Sequence, residues 1–371
     1  MVVESELFKE HNKIYDKQER EIMKKSTKLL SMILAGAMVL TVTGCSSNEE
    51  ETTAAAAATE AATEAATEAK AEDASTSDET YKIGVLQLVQ HAALDQSNEG
   101  FFAALDEAGI QYEVDQQNAS GEQANCLTIA EKLVNDGNDL ILAIATPAAQ
   151  AVAGVTEDIP ILLTAVTDPA ASGLVNDNAN PGVNVSGTSD LTPVKEQIDL
   201  LHQLLPDAET VGLLYCSAES NSELQIAMAK EACDAIGLKY EEYTVPGSNE
   251  IQTVVESMVG NVDAIYSPTD NVIAAGMATV AMVANDNGIP AIVGEAGMVG
   301  AGGLATYGID YYQLGYMAGE QAIEILVNGA DISTMPIGYL PAERCELTVN
   351  KTTADTLGID ISGLDGAVVV E

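Results

Sequence analysis

From Tyr81 onward, short apolar and β-branched runs alternate with longer stretches whose apolar residues recur every three or four positions. The runs predict strands over 82–88, 111–115, 140–145, 161–166, 183–186, 211–215, 239–245, 264–266, 291–293 and 304–307. The stretches between predict helices over 94–108, 124–136, 194–205, 222–236, 251–259, 272–285 and 311–327. Gly109, Gly137, Gly237 and Gly329 stand where helices of this kind stop. Near-continuous apolar strands alternating with helices imply an α/β fold with parallel sheets covered on both faces. Ten strands are more than one compact doubly wound sheet usually carries, so two α/β lobes are expected.

Several predicted strands hand over to helices through small polar residues. Thr146-Pro147, Asp168-Pro169 and Thr192-Pro193 each place a capping residue before a proline at the first helical position. The quartet Pro268-Thr269-Asp270-Asn271 and the run 217–222 (SAESNS) are two more polar exits. Any one of them reads as plain capping. Five at matching strand ends in both lobes suggest a site for a compact ligand, because ligands of open α/β sheets bind outside the carboxyl ends of the strands. The candidates are Thr146, Ser189 and Asp190 from the first lobe, with Ser220, Asn221, Asp270 and Glu295 from the second; for a zwitterion, hydroxyls and free N–H groups would take the carboxylate. Asp270, or Glu295 in Val293-Gly294-Glu295, would take the ammonium. Gln90, Asp168 and Thr269 occupy further strand exits and complete the candidate set. Tyr215, Tyr266 and Tyr307 near strand ends are candidate ring contacts, each equally readable as a core tyrosine.

Charge narrows the partners. The 371 residues carry 57 Asp+Glu against 15 Lys+Arg, a formal net charge of −42. From residue 81 onward the basic residues are Lys82, Lys132, Lys195, Lys230, Lys239, Arg344 and Lys351, too scattered to form the patch that nucleic acid or an anionic membrane surface requires. Cysteines at 45, 126, 216, 233 and 345, with histidines at 11, 91 and 202, give no metal-binding spacing. The last four cysteines read as small buried hydrophobes. No metal or other cofactor is expected.

The first eighty residues differ from the rest. Residues 24–28 carry three lysines and 29–42 form an uncharged run of 14, too short to span a bilayer comfortably but suited to a signal peptide. The run ends in Val42-Thr43-Gly44-Cys45, which resembles the lipobox of bacterial lipoproteins. That resemblance implies a signal peptide over 23–44 and lipidation of Cys45. Residues 1–22 then read as an over-extended leader before Met23. Repeated T-E-A-A units within 45–80 have no apolar stripe to bury and read as a lipid-anchored disordered tether.

Enzyme signatures are missing from the sequence. There is no G-x-S-x-G elbow and no G-x-x-x-x-G-K-[ST] loop. Residues 300–305 match G-x-G-x-x-A, but they precede a predicted strand and read better as a flexible interlobe connection. His202 lies on a helix, and His91, after the first strand, could line a site but has no Ser or Cys beside it. No catalytic residue is assigned.

Seven ordered blocks carry a family resemblance: 90–95 (QHAALD), 143–151 (AIATPAAQA), 165–169 (AVTDP), 184–190 (NVSGTSD), 211–225 (VGLLYCSAESNSELQ), 263–271 (DAIYSPTDN) and 304–315 (LATYGIDYYQLG). Together they resemble the TrpX-type substrate-binding proteins of ABC importers over essentially all of 81–361. The first block departs from the family pattern with Ala92 in place of proline. The resemblance implies two Rossmann-like lobes joined by three crossovers, as in type I periplasmic binding proteins. It implies a monomer that captures tryptophan, tyrosine or phenylalanine by lobe closure and delivers it to permease and ATPase subunits. The protein would sit outside the cytoplasm, held to the membrane by its N-terminal lipid alone. Element order and resemblance together assign 81–190 plus 304–330 to lobe one and 191–303 plus 331–371 to lobe two. The alternative is a lipid-anchored ligand-sensing or adhesive protein that keeps the fold without a transporter.

Overall fold

The computed structural model describes residues 79–341 and 344–371. The leader, the signal peptide, Cys45 and nearly all of the tether read from the sequence lie outside them. The first half of the fold runs β1 (Thr80–Gln87), α1 (Ala92–Glu107), β2 (Gln111–Asn118), α2 (Gln123–Asn135), β3 (Leu140–Ile144), α3 (Thr146–Ala153), β4 (Ile161–Val166) and β5 (Val185–Ser189). The second half runs α4 (Val194–Leu204), β6 (Thr210–Cys216), α5 (Ser220–Ile236), β7 (Lys239–Val245), α6 (Ile251–Met258), β8 (Ala264–Ser267), α7 (Asn271–Ala275), α8 (Met277–Asp286), β9 (Ala291–Val293), α9 (Ala296–Gly300) and β10 (Ala305–Gly308). Each half builds one sheet, and the strand orders match: β2-β1-β3-β4-β5 in one and β7-β6-β8-β9-β10 in the other. All pairs within these two sets are parallel.

Burial follows from that order. The interior strands β3 and β4 are buried at every position, whereas the edge strands β2 and β7 are largely exposed. Helix α1 buries Ala93, Leu94, Ser97, Gly100, Phe101, Ala104 and Leu105, the three-and-four spacing that gives a helix one apolar face. The four glycines expected at helix ends all have positive φ.

After β10 the chain returns to the first sheet. Helix α10 (Tyr311–Leu326) packs against α1, and β11 (Gly338–Tyr339) pairs with β5. The chain then crosses back to β12 (Glu346–Asn350), which runs antiparallel to β10, followed by α11 (Lys351–Leu357) and β13 (Val368–Val370) beside β12. The two sheets are therefore linked by three crossovers, at 190–193, 309–310 and 340–345. This corrects the boundaries read from the sequence: residues 305–308 belong to the second sheet, and 338–339 to the first. It also corrects the reading of 300–303, which join α9 to β10 inside the second sheet and do not bridge the lobes.

The contact of α1 with α10 depends on missing side chains. A Cβ on Gly100 would lie 1.9 Å from the Tyr312 carbonyl oxygen, and one on Gly315 would lie 1.9 Å from that of Ser97. The two backbones touch because both positions are glycine. This crossing fixes where the N-terminus of α10 lies.

Candidate functional site

In each sheet the winding direction reverses beside its first strand, between β1 and β3 and between β6 and β8. Ligand crevices form at such switch points. Here the two reversals face each other, and a cleft of about 210 Å3 lies between them. His91, Leu94 and Asp190 line it from the first half, Thr269, Asp270, Asn271, Ala274 and Glu295 from the second, and Tyr311 from the start of α10.

The cleft is acidic, and no lysine or arginine lines it. Asp190 is 4% exposed and Glu295 3%. Burial raises Asp190 to about 6. It raises Glu295 to about 7, with the nearby Asp190 charge adding to the shift. Burial also raises Asp270 and, with help from Asp270, Glu219. The four carboxylates differ in what their oxygens do. Asp270 Oδ2 accepts from the Cys216 N–H at 2.6 Å and the Ser222 hydroxyl at 2.7 Å, while Oδ1 accepts from the Ile273 N–H at 2.8 Å. It staples the end of β6 and the start of α5 to the start of α7. Glu219 accepts from the Asn271 and Val272 N–H groups and the Asn221 side-chain amide. Glu295 caps α9, accepting from the Met298 N–H at 2.9 Å and from the Gly297 N–H. Asp190 Oδ2 accepts from the Tyr311 hydroxyl at 2.8 Å, and its buried Oδ1 has no partner.

Thr146 opens α3 and is not among the residues that line the cleft. Ala145, just before it, has φ 83° and ψ 153°, a region that a residue with a Cβ rarely enters. The chain thereby turns from β3 into α3 within one residue. Thr146 is 1% exposed and its hydroxyl has no partner. Gln150, one turn along α3, donates to Ser220 Oγ at 3.4 Å across the gap between the halves. Further polar bridges cross that gap, from Gln123 to the Ala218 carbonyl at 2.7 Å, from Gln225 to Thr167 Oγ1 at 3.3 Å and between His91 Nε2 and Asn271 Oδ1 at 3.2 Å.

Of the residues selected from sequence, Asp190, Thr269, Asp270 and Glu295 line the cleft together. Asn221 is buried next to Glu219, with Oδ1 unpartnered, and Thr146 is buried with its hydroxyl unpartnered; neither lines the cleft. Ser189 is engaged elsewhere, donating to the Thr167 carbonyl at 2.7 Å. Asp168 accepts from the Ala170 and Ala171 N–H groups and so organises a turn. Gln90 and Ser220 are exposed. The capping expected of Thr146 and Thr192 does not occur, since neither side chain holds a helix N–H; Thr192 Oγ1 lies 3.5 Å from Gln225 Oε1. The candidate ring contacts also lie away from the cleft. Tyr266 is in the core, donating to Gln197, and Tyr215 donates to Glu242. Tyr307 is half-buried on β10. The cleft tyrosine is Tyr311, which sequence reading missed, together with Leu94, Asn271 and Ala274.

Two facing α/β lobes, a closable cleft between their switch points and three crossovers define a solute-binding protein of the type I periplasmic class. Residues 82–364 match the model of the ABC transporter substrate binding protein family, and the chain belongs to that family. Its members are binding proteins that work outside the cytoplasm, not enzymes. A curated relative, the tyrosine-binding protein of Clostridioides difficile, is 39% identical over 341 residues, which span 90% of this chain and 93% of that protein. An ABC domain from Streptococcus pneumonia in complex with L-Trp matches with 38% identity and a TM-score of 0.76, covering 79% of this chain and all of that one. A substrate-binding protein with adhesive properties from Clostridium difficile, in its ligand-free open form, is 41% identical, with a TM-score of 0.60 over 78% of this chain and 99% of that one. Among the described residues no helix is long and apolar enough to cross a membrane.

Proposed function

We propose that this protein captures an aromatic amino acid between its two lobes and presents it to an ABC permease and its ATPase. One observation carries the amino-acid reading: the cleft gathers buried carboxylates with no lysine or arginine beside them, and Asp190 keeps one oxygen unengaged. Such a site calls for a cation, and an α-ammonium group is one. Asp190, supported by Glu295, takes the ammonium. Asp270, with three protein donors already on it, organises the second lobe instead. The Thr146 hydroxyl and the free N–H groups opening α3 take the ligand carboxylate. The aromatic side chain is supported by the tyrosine-binding and L-Trp-bound relatives and by the apolar wall of Leu94 and Ala274. Residues 81–190 with α10 and β11 form the first lobe, and the remainder to 371 the second. Anchoring through a lipid on Cys45, after cleavage of 23–44, and a monomeric state complete the proposal. Adhesive properties in the 41% identical Clostridium relative favour a second reading, in which a lipid-anchored protein of this fold senses or adheres without a transporter. A permease and ATPase encoded beside the gene would decide for import.

The direct test is titration. The chain contains no tryptophan, so added tryptophan is the sole indole. A saturable blue shift of its emission, or thermal stabilisation by tyrosine or phenylalanine, is expected in EDTA-treated protein; a ligand at 100 times its Kd stabilises by about 2.7 kcal/mol. If none of the three amino acids does either, the aromatic assignment falls. Release of the protein from membranes by Cys45→Ala tests the anchor.

A further inference from the structure

His91 lines the cleft just before α1. Leu94 lies one turn after it on α1, and Ala274 lies one turn after Asn271 on α7. The orientation of the imidazole is set from behind. Asn271 donates through its amide nitrogen to Glu219 Oε2, so its Oδ1 is the atom turned to His91 Nε2, 3.2 Å away. A carbonyl oxygen only accepts, so Nε2 carries the hydrogen. A neutral imidazole has one N–H, which leaves Nδ1 as a bare acceptor. Burial holds the ring in that neutral form by pushing its pKa down. Nδ1 is buried and has no partner. Tyr311, the other ring lining the cleft, is committed through its hydroxyl to Asp190.

From this geometry we infer that His91 is a specificity residue, its Nδ1 accepting a hydrogen bond from the ring of the bound amino acid. The site therefore prefers rings that bear an O–H or N–H, the phenol of tyrosine or the indole of tryptophan, over the bare ring of phenylalanine. The inference rests on the amino-acid reading above, with the ammonium on Asp190 and the ring beside Leu94 and His91. A site built around a buried acceptor rejects the analogue lacking the donor, because closing on that analogue leaves the acceptor unpaired. The relay from Glu219 through Asn271 makes the acceptor rigid, so it cannot turn to find a substitute partner.

Calorimetric Kd values of the full chain for two matched pairs test this. The pairs are tyrosine with phenylalanine, and tryptophan with its benzothienyl analogue, in which sulfur replaces the indole N–H. For whichever donor-bearing ligand binds more tightly, the wild type should lose about tenfold or more in affinity when the donor is removed. In His91→Leu that ratio should collapse to about threefold or less, while in His91→Gln, which keeps an acceptor, part of it should survive. Equal affinities within about twofold for both pairs in the wild type would overturn the inference and leave the amino-acid reading intact; this comparison needs no variant to fold. An undiminished ratio in a cooperatively melting His91→Leu protein would overturn it too. If none of the four ligands binds, the amino-acid reading fails and this inference with it.

Discussion

Asp190 and Asp270 are both buried carboxylates at the ends of strands, and sequence reasoning cannot tell their roles apart, because that depends on who donates to each oxygen. Three protein donors reach Asp270, whereas Asp190 keeps Oδ1 open. Asp190→Asn should therefore weaken amino-acid binding by one to two orders of magnitude, the loss of one charge-assisted bond of about 1.5–3 kcal/mol, with little change in Tm. Asp270→Asn should instead lower Tm, because an amide cannot accept from all three donors; calorimetry and thermal melts on the pair separate the two roles. The acids also predict a pH effect. Folding raises Asp190 to about 6 and Glu295 to about 7, above the ordinary carboxylate values, so the folded state binds these protons more tightly than the unfolded chain. Their contribution to stability is present at low pH and is lost as pH rises through about 6 to 7. A bound ammonium favours the ionised forms and reverses the trend. Melting at pH 5 and pH 8 should accordingly show a ligand-induced shift in Tm that is larger at pH 8, and a shift independent of pH would disprove the assignment. Residue types at strand exits were legible in the sequence, which is how Asp190, Thr269, Asp270 and Glu295 were found. Tyr311 was not, because its place in the cleft comes from a helix that returns from the other sheet.

At the scale of elements, the periodicity of apolar residues located the central strands and long helices, and failed where burial does not follow polarity. Strand β5 reads Val185-Ser-Gly-Thr-Ser189, polar enough to resemble a loop after its first residues, yet it is buried throughout. Its hydroxyls are satisfied inside, with Thr188 reaching Thr164 at 3.0 Å and the Leu314 carbonyl at 3.2 Å, and Ser186 the Met335 carbonyl at 2.7 Å. The single helix expected over 272–285 is two, α7 and α8, broken at Gly276, where a Cβ would lie 2.3 Å from Ile251 Cδ1. Short β11 and β13 give too few residues for a period to show. Two element-level variants test the geometry behind the site. Ala145→Gly should raise Tm, because glycine takes the φ of 83° without the strain of about 1–3 kcal/mol that a Cβ carries there. Gly315→Ala should lower stability by about 1–3 kcal/mol and weaken ligand binding as well, since separating α10 from α1 moves Tyr311 off Asp190. Thermal melts with and without ligand read both.

Over the whole molecule, the direct contacts described between the facing strand exits are uncharged hydrogen bonds, from Gln123, Gln150, Gln225 and His91. Water can replace each of them at small net cost, which suits lobes that part and close repeatedly. Small-angle scattering should show a smaller radius of gyration with saturating amino acid than without, and superimposable curves would contradict closure. The two-lobe organisation was legible from strand count alone. The crossover boundaries were not, because an apolar run such as 304–307 fits either sheet equally well until its partners are known. The interleaving has a consequence for how the chain comes to be folded. Thr188 pairs with Gly338, and Glu107 meets Tyr316 across a sequence separation of 209 residues. The second sheet likewise waits for β12 and β13, which follow the visit to the first. Neither sheet can be finished until these strands have been made, and such long-range pairings form slowly. Both sheets therefore stay incomplete until the residues of β11, β12 and β13 have been added to the chain.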